Sequence, residues 1–220
     1  MATNSNSPFG FRRIGVSNAS APTFGLSRYR IAYNNTGAVY YGDPVEWVVN
    51  TPTGYIKQAA AADIGGSYNN VIAGIFYGCS YLSISQKRMV WSNYWPGSDC
   101  VTSTDVTAYV CDDPNAKFQV MTNSSSFTAS SANPPAYLGT SAIGQYAAFT
   151  IGTGSTSTGI SGAYLSGVGT SATSDPFLVL DYVTTPPGAV GTDPTGLYCW
   201  VVVGFNTETL RGNAATTGIS

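Results

Sequence analysis

Apolar residues in this chain come in short runs, one every ten residues or so, and each run is closed by Gly, Pro, Asn or Asp. The pattern is most regular between residues 37 and 120. Residues 27–33 (SRYRIAY) alternate Tyr29, Ile31 and Tyr33 against Arg28, Arg30 and Ala32, which predicts a half-buried strand with a cationic outer face. Short strands follow at 38–41 and 45–49, split by the turn Gly42-Asp43-Pro44. Pro44 has no N–H for a sheet ladder, so it must open its strand or lie at an edge. Another strand starts at Tyr55-Ile56, and residues 70–78 (NVIAGIFYG) predict a strongly apolar central one. Residues 81–84 and 88–91 read as a hairpin or bulged pair, followed by the turn Trp95-Pro96-Gly97-Ser98. Strands at 103–110 and 117–121 flank Asp112-Asp113-Pro114-Asn115. The runs 177–183 (FLVLDYV) and 198–205 (YCWVVVGF) are almost continuously apolar and predict strands buried on both faces. Residues 58–63, with four successive alanines, favour a helix too short to stand alone.

Between these elements lie long stretches of Gly, Ser, Thr and Asn, notably at 123–135 and across the charge-poor residues 136–174. Gly152-Thr153-Gly154 shares two glycines with a dinucleotide fingerprint but lacks the remaining pattern and the β-α-β setting, and reads as a turn or wide loop. The fold class is therefore mainly β: a compact β-barrel or β-sandwich of short antiparallel strands, with long Gly/Ser/Thr-rich loops and an N-terminal arm. The division is an extended arm at 1–24, a β-barrel-like domain at 25–122, and a β-rich second half at 123–220 that could stand as a second domain. The arm carries few apolar anchors (Phe9, Phe11, Ile14 and Phe24), with Arg12 and Arg13 among them. Spaced aromatics on such a segment dock either on the chain's own core or on a neighbour.

Composition narrows the chemistry. At 220 residues, 43% of them apolar and only 9% charged, the chain can bury a core without a metal or a disulfide. There is no His, so the usual neutral-pH proton-transfer group and the commonest transition-metal ligand are both missing. Net charge is −2 and the only adjacent basic residues are Arg12-Arg13 and Lys87-Arg88, which weighs against a nucleic-acid partner. No apolar run approaches the ~20 residues of a membrane-spanning helix, and residues 1–8 do not have the form of a secretory leader.

The four cysteines, Cys79, Cys100, Cys111 and Cys199, have irregular spacing and no zinc-like pattern. Cys79, Cys111 and Cys199 read as buried small hydrophobes, Cys100 as closer to the surface, and a Cys100–Cys111 disulfide stays open. Asp112 and Asp113 read as turn acids, since Asp caps its own backbone and Pro presets the bend. No metal or cofactor is expected.

The arrangement of Gly42-Asp43-Pro44-Val45, residues 72–81 (IAGIFYGCSY), Trp95-Pro96-Gly97 and residues 108–120 (AYVCDDPNAKFQV) resembles a family of capsid decoration proteins of tailed bacteriophages, also called cement or head-stabilisation proteins. The order fits as well, from Gly10-Phe11 to the Asp-Asp-Pro turn before Phe118 and Val120. The second half matches more loosely, through residues 154–161 (GSTSTGIS), Tyr164-Leu165 and 200–206. The resemblance implies a non-enzymatic virion protein, assembled in the bacterial host cytoplasm, that sits on the outside of the mature head. There it would clamp neighbouring major-capsid subunits, with avidity from a homo-oligomer, a trimer ahead of a dimer. On this reading residues 8–14 add a strand to a capsid edge. Phe9 and Phe11 would be the anchors, Arg12 and Arg13 would face acidic capsid groups, and deleting residues 1–14 would abolish head binding without unfolding the domain.

Two other readings compete. Trp91, Tyr94 and Trp95, with Trp47, Tyr77 and Tyr81, could form an aromatic platform for a carbohydrate-binding or host-attachment module, unless these rings build the core or an oligomer interface. A hydrolase would have to draw on Asp112, Asp113 or Asp181, and two adjacent carboxylates are a poor acid–base pair.

Overall fold

The computed structural model describes residues 4–16, 25–48, 54–61, 72–129, 142–169 and 175–207. Through them run the strands β1 (Arg12–Val16), β2 (Ser27–Ile31), β3 (Pro44–Trp47), β4 (Ile56–Gln58), β5 (Ile72–Leu82) and β6 (Met89–Ser92). These are followed by β7 (Val106–Cys111), β8 (Ala116–Met121), β9 (Tyr146–Thr150), β10 (Tyr164–Gly169), β11 (Phe177–Tyr182) and β12 (Trp200–Phe205). One 3-10 turn, Ser125–Phe127, lies between β8 and β9.

The strands form two antiparallel six-stranded sheets, stacked as a sandwich and not closed into a barrel. The first sheet has the order β1-β8-β12-β11-β9-β10. The second has the order β2-β7-β5-β3-β4, with β6 also paired to β5. The strand pairing crosses residue 122: β1 and β8 belong to the same sheet as β9–β12. The chain passes between the sheets at the Asp112–Asn115 corner, where β7 ends and β8 begins.

A strand with one face inward buries every second side chain. In the first sheet Phe118 and Val120, Val201, Val203 and Phe205, and Phe177 and Val179 all meet in one core. The second sheet supplies Ile72, Ile75 and Cys111 to that core from the facing side. Its opposite face carries a separate core of Ala73, Phe76, Cys79, Val106, Ala108 and Val110, closed by Ile31, Val39, Val45, Tyr81 and Trp95. β5 is thus buried on both sides, as its continuous apolar sequence predicts. β11 and β12 are not: Leu178, Leu180, Trp200 and Val202 are only partly covered, and Asp181 is exposed. Their apolar runs reflect β propensity and an outer face that is half open.

Other expectations change with the structure. Residues 56–58 are strand β4 rather than a helix start, and 59–61 have no regular structure, because the ladder with β3 captures Ile56, Lys57 and Gln58. Residues 62 and 63 lie outside the described residues. Residues 38–41 contribute only the isolated bridges Val39↔Trp95 and Tyr41↔Ile160. The low-charge region holds two strands, β9 and β10, whose small residues fit a close pairing: Ala147 faces Val168 and Ala148 faces Gly167. Pro44 does open β3, opposite Ile75.

The largest change concerns the arm. Phe11 is fully buried and stacks on Phe177, ring centroids 4.4 Å apart, with Phe118 and Phe149 meeting its edges. Phe9 is also buried and packs edge-on against Trp200 at 5.0 Å. The following strand, β1, pairs antiparallel with β8. Strand addition therefore takes place within the chain, and neither phenylalanine is free to anchor a partner. Phe24 and the other residues of 17–24 lie outside the described residues.

Gly42-Asp43-Pro44 is the junction of the two sheets. Phe11 N–H donates to Gly42 O (2.9 Å), Gly42 N–H to Phe76 O (2.8 Å), and Phe76 N–H to Asp43 O (2.9 Å). Gly10 and Gly42 approach so closely that a Cβ on Gly10 would lie 2.8 Å from Gly42 O, and both have a left-handed backbone (φ 74° and 91°). Only glycine meets both conditions.

Candidate interaction surface

Strand β6 and the turn before it carry the most exposed large apolar side chains of the second sheet among the described residues. Trp91 is 71% exposed, Met89 56% and Ile84 55%. The register explains why they project together: Leu82 pairs with Met89 and Ser80 with Trp91, so Met89 and Trp91 point away from the second core while Val90 points into it. Trp91 lies parallel to Tyr109 of β7, centroids 5.5 Å apart and 16° between planes, so the ring is held flat. Ser80 and Thr107 face each other, as do Thr107 and Arg30, and Tyr109 and Arg28. One solvent-exposed face, on the side of the sheet that carries Cys111, therefore runs from Trp91 and Tyr109 to Arg28 and Arg30.

Asp99 fixes the tip of this turn. Its carboxylate accepts from Ser83 Oγ (2.6 Å), Ser85 N (2.8 Å) and Ser85 Oγ (2.9 Å), while its carbonyl accepts from Ile84 N (3.0 Å). These bonds, the Ser83 one first, hold the Asp99 carboxyl below the usual carboxylate range. Beside the tip is an open, mostly apolar hollow of about 420 Å³ lined by Leu82, Ser83, Ile84, Lys87, Val101 and Thr102. Lys87 and Arg88 add charge at the rim. An exposed Trp and Met with flanking arginines has the residue chemistry of a protein-binding surface.

The three rings read as a possible glycan platform do not act together. Trp95 is fully buried, edge-on to Tyr81 at 5.2 Å, with its indole N–H donated to Asn35 O (3.1 Å). Tyr94 is partly covered and stacks on Tyr40 at 5.4 Å. Only Trp91 is open. Of the other aromatics considered, Tyr81 is buried, Trp47 meets Tyr29 edge-on at 5.3 Å, and Tyr77 is spent on β1: its hydroxyl accepts from Arg13 N (2.7 Å) and donates to Phe11 O (3.2 Å). Burial first, then the neighbouring Cys111, raises the Tyr77 phenol well above its ordinary value.

The arginine pair splits. The Arg13 side chain is buried and pairs with Asp113 at 3.1 Å. Arg12 is exposed, with its guanidinium 4.4 Å above the Phe9 ring. The carboxylates considered for hydrolysis are engaged in local structure. Asp112 accepts from Ser27 Oγ and Tyr29 Oη, each at 2.9 Å, Asp113 caps Asn115 N at 2.9 Å, and Asp181 accepts from the next residue's N–H at 2.8 Å. Among the described residues no group of three or more His, Cys, Asp or Glu is placed to hold a metal ion.

All four cysteines are buried free thiols. Cys100, expected near the surface, donates to Thr104 O at 3.2 Å. It belongs to the second core and Cys111 to the first, on opposite faces of one sheet, so the two are not paired.

Comparison of the chain with protein-family models, with curated proteins and with solved structures gives no match.

Proposed function

We propose that this chain is a virion structural protein that binds the outside of a mature phage head and cements neighbouring major-capsid subunits. The reading starts from the resemblance carried by the Gly42–Val45 turn, the β5 sequence and the 108–120 segment. The observation that carries it further is the preorganised face of Ile84, Met89 and Trp91, an apolar anchor set that this sandwich leaves uncovered among its described residues. Arg28, Lys87 and Arg88 flank that face in a chain of net charge −2, while Arg30 is paired with Asp105 at 3.6 Å, so the complementary partner surface is apolar with an acidic rim. The docking element is thus the β5–β6 turn with β6 and the exposed face that Trp91 shares with Tyr109. Binding through several copies at once supplies the avidity a clamp needs.

Quantitative mass spectrometry of purified particles of the phage that encodes this chain tests the reading. A copy number comparable with that of the major capsid protein supports a head-coating role. A handful of copies moves the chain to a fibre or attachment role, and absence from particles overturns the proposal. The carbohydrate-binding alternative keeps only Trp91 as an open ring, and a glycan screen in which Trp91→Ala abolishes a signal would favour it.

A further inference from the structure

A second cleft lies where the sheets meet, beside the end of β6. Its volume is about 410 Å³ and its lining is Arg12, Arg13, Tyr41, Asn93, Thr158 and Ile160. The walls come from four distant stretches of chain, around residues 12–13, 41, 93 and 158–160, several of them tied together through the backbone. Tyr41 N–H donates to Gly159 O and Ser161 N–H to Tyr41 O, both at 2.9 Å, and Phe11 N–H to Gly42 O at 2.9 Å. The cleft is therefore shaped before anything enters it.

Its chemistry is one-sided. Arg12 holds its guanidinium against the Phe9 ring, and Phe9 is wedged against Trp200, so the cation has a fixed platform. The side chains of Arg12, Tyr41 and Asn93 make no hydrogen bond and no ion pair with any described residue. Arg13, the second cation, is taken by Asp113. No acidic side chain is among the lining residues. Partial burial raises the Tyr41 phenol above its ordinary value, which keeps its O–H a donor. A guanidinium, a phenol O–H and an amide thus converge on a cleft with no carboxylate of its own.

We propose that this cleft is a carboxylate-binding site, and that it receives an Asp or Glu side chain of the protein on which the chain docks. The assignment to a protein partner rests on the head-binding reading. Arg12 supplies the charge-assisted contact, Tyr41 and Asn93 supply directional donors, and Thr158 lines the mouth. Asn93 is two residues beyond Trp91, so the cleft continues the apolar face of β6 and one partner can engage both.

The test follows the Arg12 side-chain Nε–H and the Asn93 and Thr158 amides by NMR. The full-length protein is titrated with N-acetyl-glutamate α-amide, its glutamine analogue, glucuronate and inorganic phosphate. Saturable shifts with the glutamate compound, absent with the glutamine analogue and lost in Arg12→Gln, are expected. No saturable shift overturns the site. An equal response to phosphate reduces it to a screened surface cation, and a preference for glucuronate makes it an acidic-sugar site; either result overturns the proposal. Arg12→Gln is checked for an unchanged thermal transition, and Arg12→Lys serves as a second variant that keeps the charge while losing the planar fork. Head binding separates the two readings. If Trp91→Ala detaches the protein and Arg12→Gln does not, the cleft has no role in docking while the head reading stands. If the protein is absent from particles, the head reading fails while carboxylate binding can still be scored.

Discussion

Ser161 donates its hydroxyl to the Asp43 carboxylate across 118 residues of chain, and this bond joins the two sheets. Asp43 is fully buried, and its other oxygen accepts from Tyr40 N (2.8 Å) and Gln58 Nε2 (2.6 Å). Ser161 in turn accepts from Ala163 N at 2.8 Å. The turn ahead of β3, the end of β4 and the loop ahead of β10 therefore meet on one carboxylate.

Removing that carboxylate and neutralising it have different consequences. Asp43→Ala leaves three donors without this acceptor, the buried Ser161 hydroxyl and the partly buried Tyr40 N–H and Gln58 amide, at a cost of about 1–3 kcal/mol for a buried unsatisfied group and less for the others. Asp43→Asn keeps an oxygen for Tyr40 and Gln58, and its amide can donate to Ser161 once that hydroxyl turns. Urea unfolding is expected to rank wild type and Asp43→Asn close together, with Asp43→Ala far below. Equal losses in the two variants would show that charge, and not hydrogen bonding, holds the junction.

The same residue sets a pH dependence. Burial pushes the Asp43 carboxyl above its ordinary value of 3.8, against the opposing pull of its Ser161, Tyr40 and Gln58 bonds. The folded state then holds this proton more tightly than the unfolded chain. The Asp43 contribution is fully present below 3.8 and is lost as pH rises through the elevated folded value. Asp99 acts in the opposite sense: its lowered value gives a contribution present above 3.8 that disappears as pH falls through the folded value. Unfolding curves from about pH 3 to about pH 7 should show the stability of wild type relative to Asp43→Asn falling as pH rises, since the Asp99 contribution is common to both. A variant with the same slope as wild type would remove Asp43 as its source.

Phe11 makes the N-terminal segment part of the fold. Truncating a buried phenylalanine costs about 3–5 kcal/mol, and Phe11 touches Phe118, Phe149 and Phe177 from its single position. Phe11→Ala should lower the unfolding midpoint sharply. Deleting residues 1–14 should destabilise the domain at least as much, since it also removes Arg12, Arg13 and the first pairings of β1 with β8. This reverses the expectation that the segment can be removed without unfolding. A truncated chain with a wild-type melting curve would show that β1 and Phe11 add nothing to stability.

The contrast between Phe11 and β5 shows how much could be read from the chain. Local signals carried the elements well: the alternation of Tyr29 and Ile31, the double-sided apolar run of β5, Pro44 at a strand start, and Asp113 as the cap of its own turn are all present. Each depends on residues within a few positions of one another. Phe11 and Trp95 depend instead on partners 166 and 14 positions away, and an aromatic flanked by Gly and Arg looks the same whether its pocket lies in its own chain or in another. The strand pair β9–β10 in the low-charge region was hidden because Ala147, Ala148 and Gly167 favour close strand approach without an apolar signal. The open face was half legible. Trp91 could be named, but its separation from Tyr94 and Trp95 follows from a strand end at Ser92 and the bridge that draws Trp95 to Val39.

The thiols offer a check on the two cores. Burial, then the neighbouring Cys100, pushes the Cys79 thiol up to about 12, and burial pushes Cys111 up to about 11 despite Arg13. Buried neutral thiols are poor nucleophiles. In the native protein near pH 8 a small aromatic disulfide reagent should react with none of the four cysteines on the timescale in which it labels all four after unfolding. Rapid labelling of Cys100 in the native state would mean that the turn at Asp99 opens readily.

Trp91 tests the separation between what holds the fold and what meets a partner. Its ring loses little water on folding, so its contribution to stability is limited to the stack on Tyr109, about 0.5–1.5 kcal/mol for such an aromatic pair. Met89 and Ile84 are more than half exposed and contribute less. Trp91→Ala and the double variant Ile84→Ser with Met89→Ser should therefore unfold within about 1.5 kcal/mol of wild type. Sedimentation with purified heads should nevertheless show most of the binding lost, because exposed aromatic anchors dominate interface energies. Asp99→Ala provides the complementary case, leaving all three apolar side chains in place while releasing the Ser83 and Ser85 contacts that position them. Weaker head binding in Asp99→Ala, with a nearly unchanged melting curve, would show that the shape of the turn matters as well as its side chains. Full binding by Trp91→Ala would place the docking surface elsewhere on the molecule.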